Sequence, residues 1–266
     1  MLDELLATIA QSEAEQDRQF ITSLARGLAV LYALRFYSHG ISHQQITEMT
    51  QLPKATVSRI LNTLIKMRFL RKHPVTGLYV SDIRLRELGA FALHSDHLVR
   101  DAKPLLMAFA EKYEVSVSLA VEESGEMLYL ESIRSPARLA VQLTVGSTVP
   151  LIDTAIGRVY YCALTEAQRM LLEASHLRPL LAQDYGPKKA LLARQMEVYQ
   201  QYGFCYSVGE FSHDITAIAI PVRNDAAKNG LYALNASVPS SRLDLRQLIE
   251  QVAEPLKALG AALEQL

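Results

Sequence analysis

From residue 22 to about 112, apolar residues recur every three or four positions; beyond that the period drops to two. Leu24, Leu28, Leu31 and Leu34 predict a helix over 22–38, with Ser23 able to cap it and Gly40 ending it. Ser42 and Gln45 form a capping-box pattern for a second helix, which turns Ile46 and Met49 inward. Gln51-Leu52-Pro53 breaks that helix, and Pro53 sits near the first turn of a third, where a missing N–H costs little. Val57, Ile60, Leu61 and Leu64 are the buried face of this third helix. Phe69–Lys72 and Leu78–Val80 predict short strands joined by the turn Pro74-Val75-Thr76-Gly77. Residues 83–94 and 96–112 are again helical, the second stretch interrupted by Pro104. Residues 1–17 carry a brief apolar face, Leu2, Leu5, Leu6 and Ile9, which fits a short helix or a frayed extension equally well.

The second half reads differently. Val115, Val117, Leu119 and Val121 alternate with Ser116, Ser118 and Ala120, the signature of a strand. Glu122-Glu123-Ser124-Gly125 is a hairpin turn, Met127–Ile133 the return strand, and Arg138–Val145 a third strand. Helices follow at about 154–163 and 165–175, the latter with a Thr165/Gln168 capping box, then at 188–202, stopped by Gly203. Strands at about 204–208, 215–222 and 231–238 and a terminal helix over 244–265 complete the pattern. The expectation is an α+β domain with a mainly antiparallel sheet and helices on its flanks.

Charge sharpens the reading of the first half. Between Met49 and Ser81 there is no Asp or Glu, yet Lys54, Arg59, Lys66, Arg68, Arg71 and Lys72 all fall there. The chain as a whole carries −1, so total charge conceals a basic module. Helix, helix, tight turn, helix and hairpin make a winged helix-turn-helix over residues 20–82, the third helix suited to the major groove of double-stranded DNA. Its outer face holds Lys54, Thr56, Ser58, Arg59, Asn62 and Thr63. Arg can pair bidentately with guanine and Asn with adenine, while Ser and Thr hydroxyls take phosphates. Arg71 and Lys72 on the wing would hold the flanking backbone. A merely solvated helix face is the competing reading, and the helix-turn-helix spacing with the hairpin behind it argues against it.

Other chemistries find little support. Cys162 and Cys205 are far apart and in no motif, so they read as reduced thiols of a cytoplasmic protein. The N-terminal stretch is acidic and lacks the basic start of a signal peptide, and no apolar run approaches a membrane span. His94-x-x-His97 has no neighbouring Cys and argues poorly for a metal. Ser207, His213 and Asp214 lie on one short segment, where a catalytic triad is seldom built. Neither an enzyme nor a bound cofactor is expected. The segment from Gly146 to Gly157 runs through a loop to a helix start whose small residues, Thr154, Ala155 and Gly157, could leave backbone N–H groups open to a carboxylate. Plain packing explains the same small residues, and explains them better when they are taken alone.

Taken together the pieces resemble the IclR family of bacterial transcription regulators over roughly residues 20–265. The likeness rests on Ser23-Leu-Ala-Arg-Gly-Leu-Ala-Val-Leu31, Leu52-Pro-Lys-Ala-Thr-Val-Ser-Arg-Ile-Leu61 and Leu85-Arg-Glu-Leu-Gly89. It rests equally on Val149-Pro-Leu-Ile-Asp-Thr-Ala-Ile-Gly-Arg158, Gly203, Ile218-Ala-Ile-Pro-Val222 and Ala236-Ser-Val-Pro-Ser-Ser-Arg242. The resemblance implies the winged-helix domain, a linker helix over 83–94, and a GAF-like effector-binding and oligomerisation domain over 95–266. It implies dimers or dimers of dimers on palindromic operators, no membrane, and control of a catabolic operon by a small organic acid. Carried over position by position, the effector pocket falls at Leu139, Val149, Ala155, Ile156, Ser207, Ala217, Asn235 and Ser237. Where keto-acid binders tend to carry an acidic residue and a cysteine, this chain has Ser207 and Ala217, and Asn235 stands where Ser is common. Those departures point to an aromatic acid. A DNA-binding protein whose second domain only oligomerises is the alternative.

Overall fold

The computed structural model describes residues 2–37, 39–95, 97–135, 143–225 and 230–266. Leu139, Asp96, the side chain of His94 and most of the strand expected over 138–145 lie outside the described residues. The chain divides into two compact units, residues 1–92 and 93–266. No helix among the described residues is long and apolar enough to cross a membrane.

In the first unit, α1 (Leu2–Ala14) is a helix that buries Leu2 and Ile9 against α2 (Thr22–Ala33). The face that α2 buries is not its leucine stripe. Ala29, Val30 and Ala33 are fully buried, whereas Leu24 and Leu28 are 58% and 52% exposed. Small side chains let α1, α3 (His43–Thr50) and α4 (Lys54–Lys66) all pack on one helix, so that Leu24 and Leu28 lie outside while Leu31 and Leu34 are partly buried against the core. Nor does Ser23 cap α2; Ile21 takes that position without a side-chain bond. Ser42 does cap α3, accepting from the Gln45 N–H at 3.2 Å while the Gln45 side chain returns to the Ser42 N–H at 2.9 Å. Gln51 adopts φ +54°, which tightens the turn, and Pro53 caps α4. Strands β1 (Leu70–Lys72) and β2 (Tyr79–Ser81) pair antiparallel, Arg71 opposite Val80, and a bridge from Ile41 to Tyr79 ties the wing to the helices. Helix α5 (Ile83–Ser95) then leads out of this unit.

The second unit begins with α6 (His97–Tyr113) and a hairpin of β3 (Ser116–Glu123) and β4 (Glu126–Ile133), turned at Ser124 and Gly125, both left-handed. The next described strand is β5 (Thr148–Pro150). Helices α7 (Ala155–Ala163) and α8 (Glu166–Leu172) follow, then a π-turn over Glu173–Leu177, α9 (Arg178–Leu181) and α10 (Tyr185–Tyr202). Strands β6 (Cys205–Val208), β7 (Ile215–Arg223) and β8 (Leu231–Pro239) and helix α11 (Leu245–Leu263) close the chain. The sheet runs β5-β4-β3-β8-β7-β6, with every pair antiparallel.

Its two faces are chemically unlike. Val117, Leu119, Ile218, Ile220, Leu234 and Val238 pack under α6 and α11. The opposite face carries Ala120, Ala217, Ala219 and Ala233, and α7 lies close against it. Between α7 and β6, the buried thiol of Cys205 donates to Cys162 Sγ at 3.8 Å, and that bond together with burial pushes its pKa well up. Farther out, Glu173 is 5% exposed. It accepts from the phenols of Tyr161 and Tyr185 and from Lys189 Nζ at 3.0 Å. Burial alone would raise its pKa, but the hydrogen bonds from Tyr161, Tyr185 and Lys189 outweigh burial and hold it at about 2.

A depressed carboxylate stabilises the fold above the unfolded-state value, roughly pH 4.3, and that stabilisation drains away as pH falls toward 2. Glu173→Ala should therefore cost on the order of 2–3 kcal/mol at pH 7, because it leaves buried hydroxyls unmatched. Denaturant melts of parent and variant at pH 7 and pH 3 should differ less at the lower pH; an equal gap at both would refute the linkage.

Candidate nucleic-acid interface and ligand cleft

Helix α4 points Val57 and Leu61 into the core, so its opposite side must face solvent. Lys54, Ser58, Arg59, Asn62 and Thr63 are exposed and Thr56 is half-buried. Arg71 and Lys72 are exposed on the wing, Lys72 with its ammonium 5.2 Å from the Tyr79 ring centre. Two hydroxyls on α4 have local duties: Ser58 Oγ lies 2.9 Å from His43 Nε2, and Thr63 Oγ1 donates to the Arg59 carbonyl at 3.0 Å. Among the described residues, Lys54, Arg59 and Arg71 form no ion pair. Their charge stands uncompensated on one acid-free surface, a field that draws polyanions.

In the second unit the strand registers set the candidate residues in rows. Ser207 pairs with Ala217, Ala217 with Ser237, and Ser237 with Ser116, one row across four strands on the α7 face. The next row holds Cys205, Ala219, Asn235, Ser118 and Ser132. Four of the residues singled out from sequence, Ser207, Ala217, Asn235 and Ser237, thus share one patch. Ala155 touches it directly, donating its N–H to Ser207 Oγ at 3.1 Å. Val149 and Ile156 are fully buried nearby in the same core.

The start of α7 is closed rather than open. The Ala155 N–H is taken by Ser207, and the Gly157 N–H by Thr154 Oγ1 at 3.3 Å. A Cβ on Gly157 would stand 2.0 Å from the Leu151 carbonyl oxygen, so glycine serves close packing there, as the plainer reading of those small residues had it. Arg158, with no exposed surface, fastens the same corner. Its guanidinium donates to the carbonyls of Ile152 at 2.7 Å and Tyr206 at 2.6 Å and to Glu210 at 3.0 Å. Ser207 and Asp214 have partners other than His213: Asp214 accepts from Ser212 at 2.9 Å. No triad forms. No described group of three His, Cys, Asp or Glu could hold a metal ion.

Among the described residues the same sheet face borders a small cleft of about 20 Å³. Ser116, Ser118, Tyr129, Ser132, Arg134, Leu143, Ile215, Ser237 and Pro239 line it. Ser118 and Ser132 are 3.0 Å apart, and Ser116 Oγ accepts the Ser135 N–H at 3.0 Å. Arg134 is exposed at the rim, and it is the cation among the described lining residues. Burial pushes the Tyr129 phenol up to about 12, so it stays a neutral hydroxyl. Of these residues the sequence reading named only Ser237 as a candidate ligand residue. The signal for the others was the run of serines alternating with valines on β3, which reads as a solvated strand face.

A family model described as "Bacterial transcriptional regulator IclR C-terminal" matches residues 90–265, and "IclR helix-turn-helix domain" matches residues 23–74. The "Pca regulon regulatory protein" of Pseudomonas putida is 30% identical over 234 residues, covering 87% of this chain and 79% of its own. A crystal structure of an IclR family transcriptional regulator from Brucella abortus superposes with a TM-score of 0.78 at 30% identity, covering 94% and 93% of the two chains. The fold also matches an IclR homolog from Microbacterium hydrocarbonoxydans complexed with 4-hydroxybenzoate, with a TM-score of 0.73 at 22% identity and coverage of 92% and 98%.

Base-reading and backbone-holding side chains should separate on DNA. Arg59→Ala is expected to cost about 1–3 kcal/mol on a specific duplex and far less on scrambled sequence. Neutralising Arg71 or Lys72 should weaken binding to any duplex and lower the log–log salt slope by about 1 for each phosphate the protein no longer neutralises. Gel-shift titrations at several salt concentrations read both; an equal loss on both duplexes would make Arg59 a phosphate ligand instead.

Proposed function

The chain belongs to the IclR family of bacterial transcriptional regulators, and from that premise we propose that it is a ligand-responsive regulator of a catabolic operon, switched by a small aromatic acid. It binds a palindromic operator as a homodimer or dimer of dimers in the cytoplasm. Lys54, Thr56, Ser58, Arg59, Asn62 and Thr63 face the major groove, and Arg71 and Lys72 hold the backbone beside it. The observation that carries the effector half is the cleft: a sheet face otherwise packed with alanine opens onto four serine hydroxyls and one guanidinium. Such a site suits an acid. Arg134 matches a carboxylate in charge, and Leu143, Ile215 and Pro239 would be apolar walls for a ring once the cleft, now about 20 Å³, widens around it. The Ala155 N–H is already bonded to Ser207, so the anion is assigned to Arg134 instead. The bound 4-hydroxybenzoate of the Microbacterium homolog favours the same ligand class.

A thermal-shift screen of aromatic and keto acids on the full chain tests the proposal, since a ligand that binds only the folded state raises its melting temperature. An aromatic acid should give the largest shift. Arg134→Gln should weaken that acid about tenfold or more, the loss expected for a charge-assisted hydrogen bond, and leave ligand-free operator affinity unchanged. No shift with any acid would favour the alternative, a DNA-binding protein whose second domain only oligomerises.

A further inference from the structure

His43 is the first residue of α3, and its half-buried imidazole reaches across to α4. Nε2 lies 2.9 Å from the hydroxyl of Ser58, an exposed residue between Lys54 and Asn62 on one line of the helix. Nδ1 faces Thr47 Oγ1 at 3.4 Å. The Thr47 hydroxyl has one proton, and the His43 carbonyl takes it at 2.8 Å. Thr47 therefore meets the ring only as an acceptor, which puts the ring proton on Nδ1. The other tautomer would turn a bare Nδ1 toward an oxygen with no proton left to give. A neutral imidazole protonated at Nδ1 has a bare Nε2, and a bare ring nitrogen accepts. Ser58 then donates its own proton inward, to His43. Thr63, by contrast, gives its proton to the Arg59 carbonyl of its own helix, and among the described residues Ser58 has no such alternative.

We propose that His43 is a positioning residue for base recognition: by taking the Ser58 proton it leaves that hydroxyl an acceptor only, so that Ser58 reads an exocyclic amino group in the major groove. This rests on the reading of α4 as the groove-facing helix. An unrestrained serine donates or accepts as its partner requires, and so carries little sequence information. With its proton committed, Ser58 suits adenine N6 or cytosine N4. It is mismatched to guanine O6, thymine O4 and the phosphate oxygens, all of which are acceptors. The restraint comes from α3, so the bracing helix takes part in reading sequence through the side chain it holds on α4.

Selection from a random-sequence duplex pool by the full-length protein supplies the probe, at about pH 8, above the ordinary imidazole range. Ser58→Ala should lose the preference at one base pair of the selected motif and keep the rest. At that position, purine in place of adenine, or 2-pyrimidinone in place of cytosine, removes only the amino group. The parent should bind the altered duplex about fivefold or more weakly. Ser58→Ala should bind both duplexes alike, which also controls for the weaker base pairing. His43→Glu, an acceptor, should keep the parent preference at lower affinity on every duplex. His43→Lys, which can only donate, should reverse it to guanine or thymine on the same strand. The analogue comparison needs only the parent and an exposed serine-to-alanine change, so it decides the polarity even if the His43 variants do not fold. Full affinity of the parent for the amino-free duplex overturns the proposal. So does a parent-like motif in Ser58→Ala, or an unreversed preference in His43→Lys. If the parent enriches no sequence at all, the reading of α4 itself fails and the role of His43 falls with it.

Discussion

A guanidinium with no exposed surface determines where the second unit places its parts. Arg158 cannot shed its charge, and a buried cation without partners would cost far more than the fold could supply. It is therefore met by carbonyls from Ile152 and Tyr206 and by the Glu210 carboxylate. Those three partners lie on the loop entering α7, on β6, and on the turn after β6. One side chain thus fixes the start of α7 against the edge of the sheet. Gly157, pressed on the Leu151 backbone, and Thr154, bonded to the Pro150 carbonyl at 2.8 Å, admit no other approach.

The sheet makes this possible by treating its faces differently. Branched side chains on one face interlock with α6 and α11 and supply most of that core. Small side chains on the other let α7 approach closely and leave room where it ends. Serine is the residue that serves both states. It is small enough under a helix and polar enough where the helix stops, as Ser207 at the start of α7 and Ser237 in the cleft illustrate.

What the sequence made legible follows from this physics. Local signals were readable because they act within a few residues. The Ser42/Gln45 and Thr165/Gln168 capping boxes, the Gly203 stop and the acid-free basic run all appear where expected. Periodicity found α2 but not which of its side chains are most deeply buried. A repeat identifies a stripe, and only neighbouring helices decide whether leucines or alanines face them. Of the candidate effector residues, which came from resemblance, Ser207, Ala217, Asn235 and Ser237 share one patch of the sheet, yet nothing in the sequence marked Ser118, Tyr129, Ser132 and Arg134 as cleft residues. They belong to a site only because β8, which closes the sheet late in the chain, inserts beside β3. Arg158 stood in a quoted motif without a role, since two of its partners come from a segment some fifty residues later.

The thiol pair between α7 and β6 has a practical consequence. Cys162 and Cys205 are the only cysteines in the chain, both are buried, and the Cys205 thiol is held protonated. Alkylating reagents will find neither until α7 lifts from the sheet. The native protein is in effect already cysteine-free at its surface, so a single cysteine placed on the wing or on α5 can carry a spectroscopic label with the natural pair left in place. The buried pair then serves as an internal clock: its rate of modification reports how often α7 comes away from its seat.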